Sequence, residues 1–162
     1  MVLSHVAERE GKLLTFLRGE LALSSGLVKR LKWQNAFYLD GVPVHTDARV
    51  RPGQEITVKI EEAPEGFLPQ TLPIDILYED ESLIALDKPA GQLVHPSPRK
   101  NDGTLANALL GYYAETNQPC GIHPVTRLDR DTFGVVLLAK NAHIHAKLCQ
   151  MMKDGQIHKT YL

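Results

Sequence analysis

His123-Pro124-Val125-Thr126-Arg127-Leu128-Asp129-Arg130-Asp131-Thr132-Phe133-Gly134 is a densely charged segment that runs into the apolar, β-branched stretch Val135 to Ala139. Charge concentrated at the mouth of an internal strand points to a site. On an extended backbone, residues 127, 129 and 131 share one face and Leu128 takes the other. A guanidinium and two carboxylates then meet around a pocket, and Arg127 keeps Asp129 ionised. The alternative is an Arg–Asp network that only closes a turn, since structural ion pairs cluster as well.

Downstream, Asn141 is placed to cap a helix whose Ile144, Leu148, Met151 and Met152 line one face, with Gly155 just past its end. The chain then turns at Asp154-Gly155 into Ile157-His158-Lys159-Thr160-Tyr161, which reads as a strand. Upstream, Leu105, Leu109, Leu110 and Tyr113 predict a helix from about Thr104, with capping oxygens in Asp102-Gly103-Thr104. Leu83 to Leu86 reads as a buried strand stopped by Pro89 and Gly91, and Ile76 to Asp80 leads into it through a polar turn.

Glu61 to Pro73 holds Pro64, Gly66, Pro69 and Pro73 with three glutamates and no regular period, the pattern of a mobile linker. Before it, Leu13, Leu14 and Leu17 fall at helical spacing. A second helix starts at Ser24 or Ser25, with Leu27, Val28 and Leu31 as its apolar stripe and Lys29, Arg30 and Lys32 largely off it. Asp40-Gly41 between two alternating runs predicts a hairpin, Arg51-Pro52-Gly53 a further turn, and Ile56, Val58 and Ile60 a half-buried strand.

Composition agrees with a folded chain of one or two small domains: 162 residues, 43% hydrophobic. No apolar run approaches the roughly 20 residues that cross a bilayer, and Met1 to Lys12 builds no signal-peptide core, so a cytoplasmic protein without membrane contact is expected. Two cysteines are too few for a disulfide framework. The net charge of −1 conceals two mildly basic blocks, residues 1–60 and 82–162, around an acidic stretch at 61–81 that has seven Asp or Glu and no Lys or Arg.

The Ser-initiated basic helix, the Asp-Gly hairpin and the Pro-Gly-Gln turn before the last strand of the first block resemble the RNA-binding module named for the fourth ribosomal small-subunit protein. That resemblance implies phosphate contacts from Lys29, Arg30 and Lys32. In the second block, Tyr78-Glu79-Asp80-Glu81-Ser82-Leu83-Ile84-Ala85-Leu86-Asp87-Lys88-Pro89-Ala90-Gly91 with Val94-His95-Pro96, then Thr104 to Leu110, then Arg127 to Gly134, then Lys159-Thr160-Tyr161, resemble in order the motifs of a pseudouridine synthase family. Its members modify large-subunit ribosomal RNA and related RNAs. Thr126 and Phe133 depart from that pattern, where the family commonly has His and Ser.

The resemblance implies an α+β chain in three parts. Residues 1–60 form a small helix-plus-hairpin RNA-binding domain, 61–73 an acidic linker, and 74–162 the amino-terminal half of a catalytic domain. That half carries part of a mixed, mainly antiparallel sheet with flanking helices. The family's Gly-Arg-Thr-His-Gln-Ile-Arg type segment and final strand have no counterpart here, so the fold is expected to be incomplete, with an unfinished sheet edge open to pairing. The implied reaction is isomerisation of uridine to its carbon-linked isomer without a cofactor. Asp129 serves as nucleophile or as a base at the ribose, Arg127 fills the stack vacated by the flipped base, and Tyr161 stacks on that base. Arg130 is expected to meet RNA as well. Ribosomal RNA is the favoured partner and transfer RNA is chemically as suitable. Two other readings stand beside this one: a truncated RNA-binding protein or fragment without turnover, and a zinc site suggested by Cys120-x-x-His123 and His145-x-x-x-Cys149. For the latter, packed cysteines and no bound metal are the expectation.

Overall fold

A computed structural model describes every residue of the chain except Pro64 and Leu162. The chain divides into two compact units, Met1–Glu61 and Glu62–Leu162. No helix among the described residues is long and apolar enough to cross a membrane.

The first unit runs β1 (Val2–Val6), β2 (Gly11–Lys12), α1 (Leu13–Arg18), α2 (Ser25–Lys32), β3 (Phe37–Leu39), β4 (Val42–Pro43), β5 (Arg49–Val50) and β6 (Glu55–Lys59). Its main sheet has the order β1-β6-β3-β4, and β2 pairs with β5. Ser24 caps α2 by accepting from the Leu27 amide at 3.2 Å, and Leu27, Val28 and Leu31 turn inward as their spacing predicts. In α1 the buried set is Leu13, Phe16 and Leu17, while Leu14, expected on the apolar stripe, is 39% exposed. Asp40 and Gly41 form the β3–β4 turn at φ 48° and 80°. The Asp40 carboxylate also accepts from the Glu55 amide and the Gln54 side chain, contacts that hold its pKa below the usual carboxylate range and fix the start of β6.

Strand β1 was not foreseen from the sequence. It is an edge strand paired antiparallel to β6, and its apolar ends Val2 and Val6 face solvent while Leu3 and His5 are only half-buried. An alternation that directs its valines outward does not carry the signature of a half-buried strand.

The second unit runs β7 (Asp75–Glu79), β8 (Leu83–Lys88), α3 (Leu105–Glu115), β9 (His123–Pro124), β10 (Gly134–Ala139) and α4 (Ala142–Lys153). Its sheet has the order β7-β8-β10-β9, antiparallel throughout, with a bulge between Ile76 and Tyr78. Helix α3 covers one face: Leu105, Leu109 and Tyr113 pack with Ile84, Leu86, Val136 and Leu138. Helix α4 packs Leu148, Ile144 and Met152 with Val125, Ala139, Leu83 and Leu137. Both helices start at capping side chains, Thr104 in a reciprocal capping box with Asn107 and Asn141 accepting from the Ile144 amide.

Of residues 61–73, expected as a mobile linker, the described ones from Glu62 onward belong to the second unit and are strapped along it. Glu62 accepts from the Ala142 amide, Glu65 from the Ile122 amide, and the Leu68 carbonyl from the Asn107 side chain. Gln70 accepts from the Gly103 amide at 2.6 Å and donates its own amide to the Asn107 carbonyl. The Gln70 carbonyl crosses α3 so closely at Gly111 that a Cβ there would collide with it. The absence of period marks missing regular structure, and specific side-chain bonds supply the order. Ile157 to Tyr161, read as a strand, forms none: only Ile157 packs against the α4 cluster, and no strand among the described residues gives this stretch a ladder partner.

Candidate active site

The antiparallel register of β8 with β10 sets Gly134 opposite Lys88. The charged loop entering β10 is therefore delivered beside the Asp87-Lys88-Pro89-Ala90-Gly91 turn leaving β8. Gly134 makes the junction at φ 122°, a conformation that other residues adopt only with strain.

Two donors meet on one atom of this loop. The Arg130 carbonyl accepts from Lys88 Nζ at 3.0 Å and from the Gly91 amide at 2.8 Å. Lys88 is fully buried and also donates to the carbonyls of Pro89 and Gln92, each at 2.8 Å. Burial depresses its pKa, and the nearby Asp131 carboxylate opposes that shift. The backbone next to Asp129 is thus clamped to the end of β8, and the Thr132 amide closes a turn onto the Asp129 carbonyl at 3.2 Å.

Asp129 sits exposed at the head of that turn. The turn breaks the alternation read from the sequence, and the pairing changes with it. Arg127 forms no ion pair with Asp129 among the described residues, so the expected contact keeping Asp129 ionised is not made. Asp131 pairs instead with its neighbour Arg130 through two bonds of 3.0 and 3.1 Å. The Arg130 guanidinium lowers the Asp131 pKa and is itself raised, both groups lying open to solvent.

A cavity of about 430 Å³ opens at this end of the sheet, walled by Ile74, Asp87, Lys88, Pro89, Leu105 and Phe133. Asp129 does not line it. Phe133, 75% exposed, forms part of its rim, so the bulk it adds beside the turn projects into open space. Tyr161 is also exposed and makes no hydrogen bond or ring contact with Arg127 or Asp129. Lys29, Arg30 and Lys32 lie in the first unit. Lys29 and Lys32 are exposed, whereas Arg30 is half-buried.

Lys88 is the residue that sequence reasoning passed over. Its signal was present: Ile84, Leu86 and Lys88 are in phase on β8, so a lysine continues the buried face. The histidines and cysteines are engaged elsewhere. His123 Nε2 lies 2.8 Å from Glu62, while His145 Nε2 lies 3.2 Å from the Pro124 carbonyl and 3.4 Å from Cys149 Sγ. No group of three or more His, Cys, Asp or Glu among the described residues is placed to hold a metal ion.

Residues 82–162 match the family model described as RNA pseudouridylate synthase. The chain is 34% identical over 143 residues to a protein of Aquifex aeolicus named "Uncharacterized RNA pseudouridine synthase", covering 85% of this chain and 45% of the relative. It is 36% identical over 126 residues to the "Ribosomal large subunit pseudouridine synthase D" of Pseudomonas aeruginosa, covering 76% of this chain and 39% of that one. A solved structure titled "Human RNA Pseudouridylate Synthase Domain Containing 4" aligns with a TM-score of 0.41 and 24% identity over 51% of this chain and 30% of the human one. The chain thus spans less than half the length of these two named relatives.

Proposed function

The chain belongs to the RNA pseudouridylate synthase family, and on that premise we propose that Asp129 is the reacting carboxylate of a uridine-to-pseudouridine isomerisation in structured RNA. The observation that carries the proposal is the clamped turn: an exposed carboxylate on a backbone held by Lys88 and Gly91 is presented to solvent without freedom to wander. Isomerisation breaks the bond from the sugar to the base nitrogen, turns the base and rejoins the sugar at carbon five, which then gives up its proton while the freed nitrogen ends with one. Nothing is oxidised or reduced. Asp129 acts on the ribose as nucleophile or as base. Arg127, exposed two residues before it, occupies the stack left by the extruded base, at a flipping cost of a few kcal/mol. Tyr161 stacks on that base.

Lys29, Arg30 and Lys32 supply phosphate contacts from a module of the kind named for the fourth ribosomal small-subunit protein. Arg130 adds another by exchanging Asp131 for phosphate. Ribosomal RNA is the proposed substrate and the cytoplasm the proposed place of action, with support from the relative named for the large subunit.

The test joins residues 1–162 to the segment that follows the matched region in a relative, and follows conversion by carbodiimide labelling or by tritium release from carbon five. Asp129→Asn should abolish conversion and leave RNA affinity nearly intact, because the amide keeps the shape and loses the charge. Full conversion by that variant would end the proposal. A second reading, RNA binding without turnover by these 162 residues alone, rests on the share of the relatives they span. Robust conversion by the 162-residue chain would exclude it.

A further inference from the structure

Trp33 follows the last turn of α2 as its C-cap and is 82% exposed, the most exposed of the large hydrophobic side chains among the described residues. Its backbone is still helical, φ −79° and ψ −11°, and its amide donates to the Arg30 carbonyl. The helical repeat therefore continues through it. Lys29 is one turn before Trp33 and three residues before Lys32, so on the exposed side of the helix it neighbours both the indole and the second lysine, with Ser25 one further turn back. Leu27, Val28 and Leu31 occupy the opposite, buried face.

Charge along this stretch of the chain has one sign. Residues 21–39 contain Lys29, Arg30 and Lys32 and no Asp or Glu, and neither Lys29 nor Lys32 pairs with a carboxylate among the described residues. Two lysines alone would suit any polyanion. An indole held open beside them adds a flat apolar face on which an unstacked base can lie while its phosphates meet the ammonium groups. A base inside a paired duplex offers no such face.

Resting on the reading of this unit as RNA-binding, we propose that Trp33 with Lys29 and Lys32 forms a platform for one unpaired base. The preferred RNA would then carry a loop, bulge or single-stranded end at this contact. Stacking on an aromatic ring tolerates any base, so the platform selects for strand state and not for sequence.

Trp33 is the only tryptophan of the chain, so its emission reports the contact directly. The 162-residue protein is titrated at low salt with a short unstructured RNA of mixed sequence and with a fully paired duplex of equal phosphate count. The unstructured RNA should quench the indole and the duplex should not. Trp33→Leu should weaken binding of the unstructured RNA by about 5- to 140-fold, the worth of one base–aromatic stack, with little change for the duplex. Trp33→Phe should recover part of the loss. Lys29→Ala with Lys32→Ala should weaken both RNAs and flatten their salt dependence. Binding of unstructured RNA that is unchanged in Trp33→Leu, or equal quenching by the two RNAs, would overturn the platform while leaving the RNA-binding reading standing, and would give this face to a protein partner. Failure of both RNAs to bind the unaltered chain would overturn both.

Discussion

Two lysines are buried in the second unit at opposite ends of its sheet, and they are satisfied in opposite ways. Lys88 ends β8 and is fully buried, yet it takes only carbonyl oxygens: Pro89, Gln92 and Arg130. Lys140, 6% exposed, follows β10 and takes a carboxylate, Glu79 at 2.7 Å, together with the Gln118 amide oxygen at 2.8 Å. Glu79 is bound further by the Tyr112 hydroxyl and the Gln118 amide group. At the Lys140 end the buried cation has a carboxylate partner, and no candidate site residue is near in sequence. At the Lys88 end a charge is buried without a direct counter-ion, and the bond it makes reaches the residue after Asp129. One end of the sheet is arranged for stability, the other for holding a loop.

This contrast is open to attack by substitution. The largest effect on stability is expected for Lys140→Met, which leaves the Glu79 carboxylate half-desolvated without its cation. Breaking such a pair costs about 2–4 kcal/mol once the remaining exposure of Glu79 is allowed for. Urea unfolding measures it, and conversion by the extended chain should change little. Lys88→Met should cost the fold as a whole less than that, the loss of about 1–3 kcal/mol from carbonyls deprived of a donor falling on local opening of the loop with little change in urea unfolding, while conversion falls roughly 10- to 100-fold through misplacement of Asp129. Equal losses of conversion in the two variants would erase the distinction between the ends.

A smaller effect belongs to pH. Burial raises the Glu79 pKa, but hydrogen bonds from Lys140, Tyr112 and Gln118 outweigh it and hold the carboxyl below the usual range. A carboxyl with a depressed folded pKa stabilises the fold above its unfolded value, about 4.3, and that contribution is lost as pH falls through the folded value. Unfolding midpoints measured down the acid limb should therefore decline less steeply in Glu79→Gln than in the unaltered chain. An unchanged slope would remove Glu79 from the acid response. The smallest effect is expected at the strap. Glu65→Ala removes the acceptor of the Ile122 amide and should cost about 0.5–1.5 kcal/mol, seen as faster proteolysis within residues 61–73 and with no change in conversion.

Much of this was legible in the residues. Ser24, Asp40-Gly41, Asn141 and the alternation of Ile56, Val58 and Ile60 act through local chemistry, a cap, a turn or a period, and local chemistry is what a sequence displays. The α+β layout and a mainly antiparallel sheet in the second unit followed from the family resemblance. What escaped depended on distant partners. The strap at 61–73 is ordered by Asn107, Ile122 and Ala142, which no periodicity within the strap reveals. Arg127 and Asp129 were set on one face by assuming an extended backbone, and the turn closed by Thr132 gives Arg130 to Asp131 instead. Ile157 to Tyr161 has strand-like composition, but a strand exists only with a neighbour to bond.

The clamp on the Asp129 turn can be read without any turnover at all, from amide hydrogen exchange in the 162-residue chain. In Lys88→Met the Gly91 amide, which donates to the Arg130 carbonyl, and the Thr132 amide, which closes the turn on Asp129, should exchange about 5- to 150-fold faster, while amides in the β8–β10 ladder such as Leu86 and Leu138 keep their protection. In Lys140→Met all of these should accelerate together, as a loss of global stability requires. Unchanged exchange at Gly91 and Thr132 in Lys88→Met, or a uniform rise across the sheet, would contradict the claim that this buried lysine exists to hold the loop.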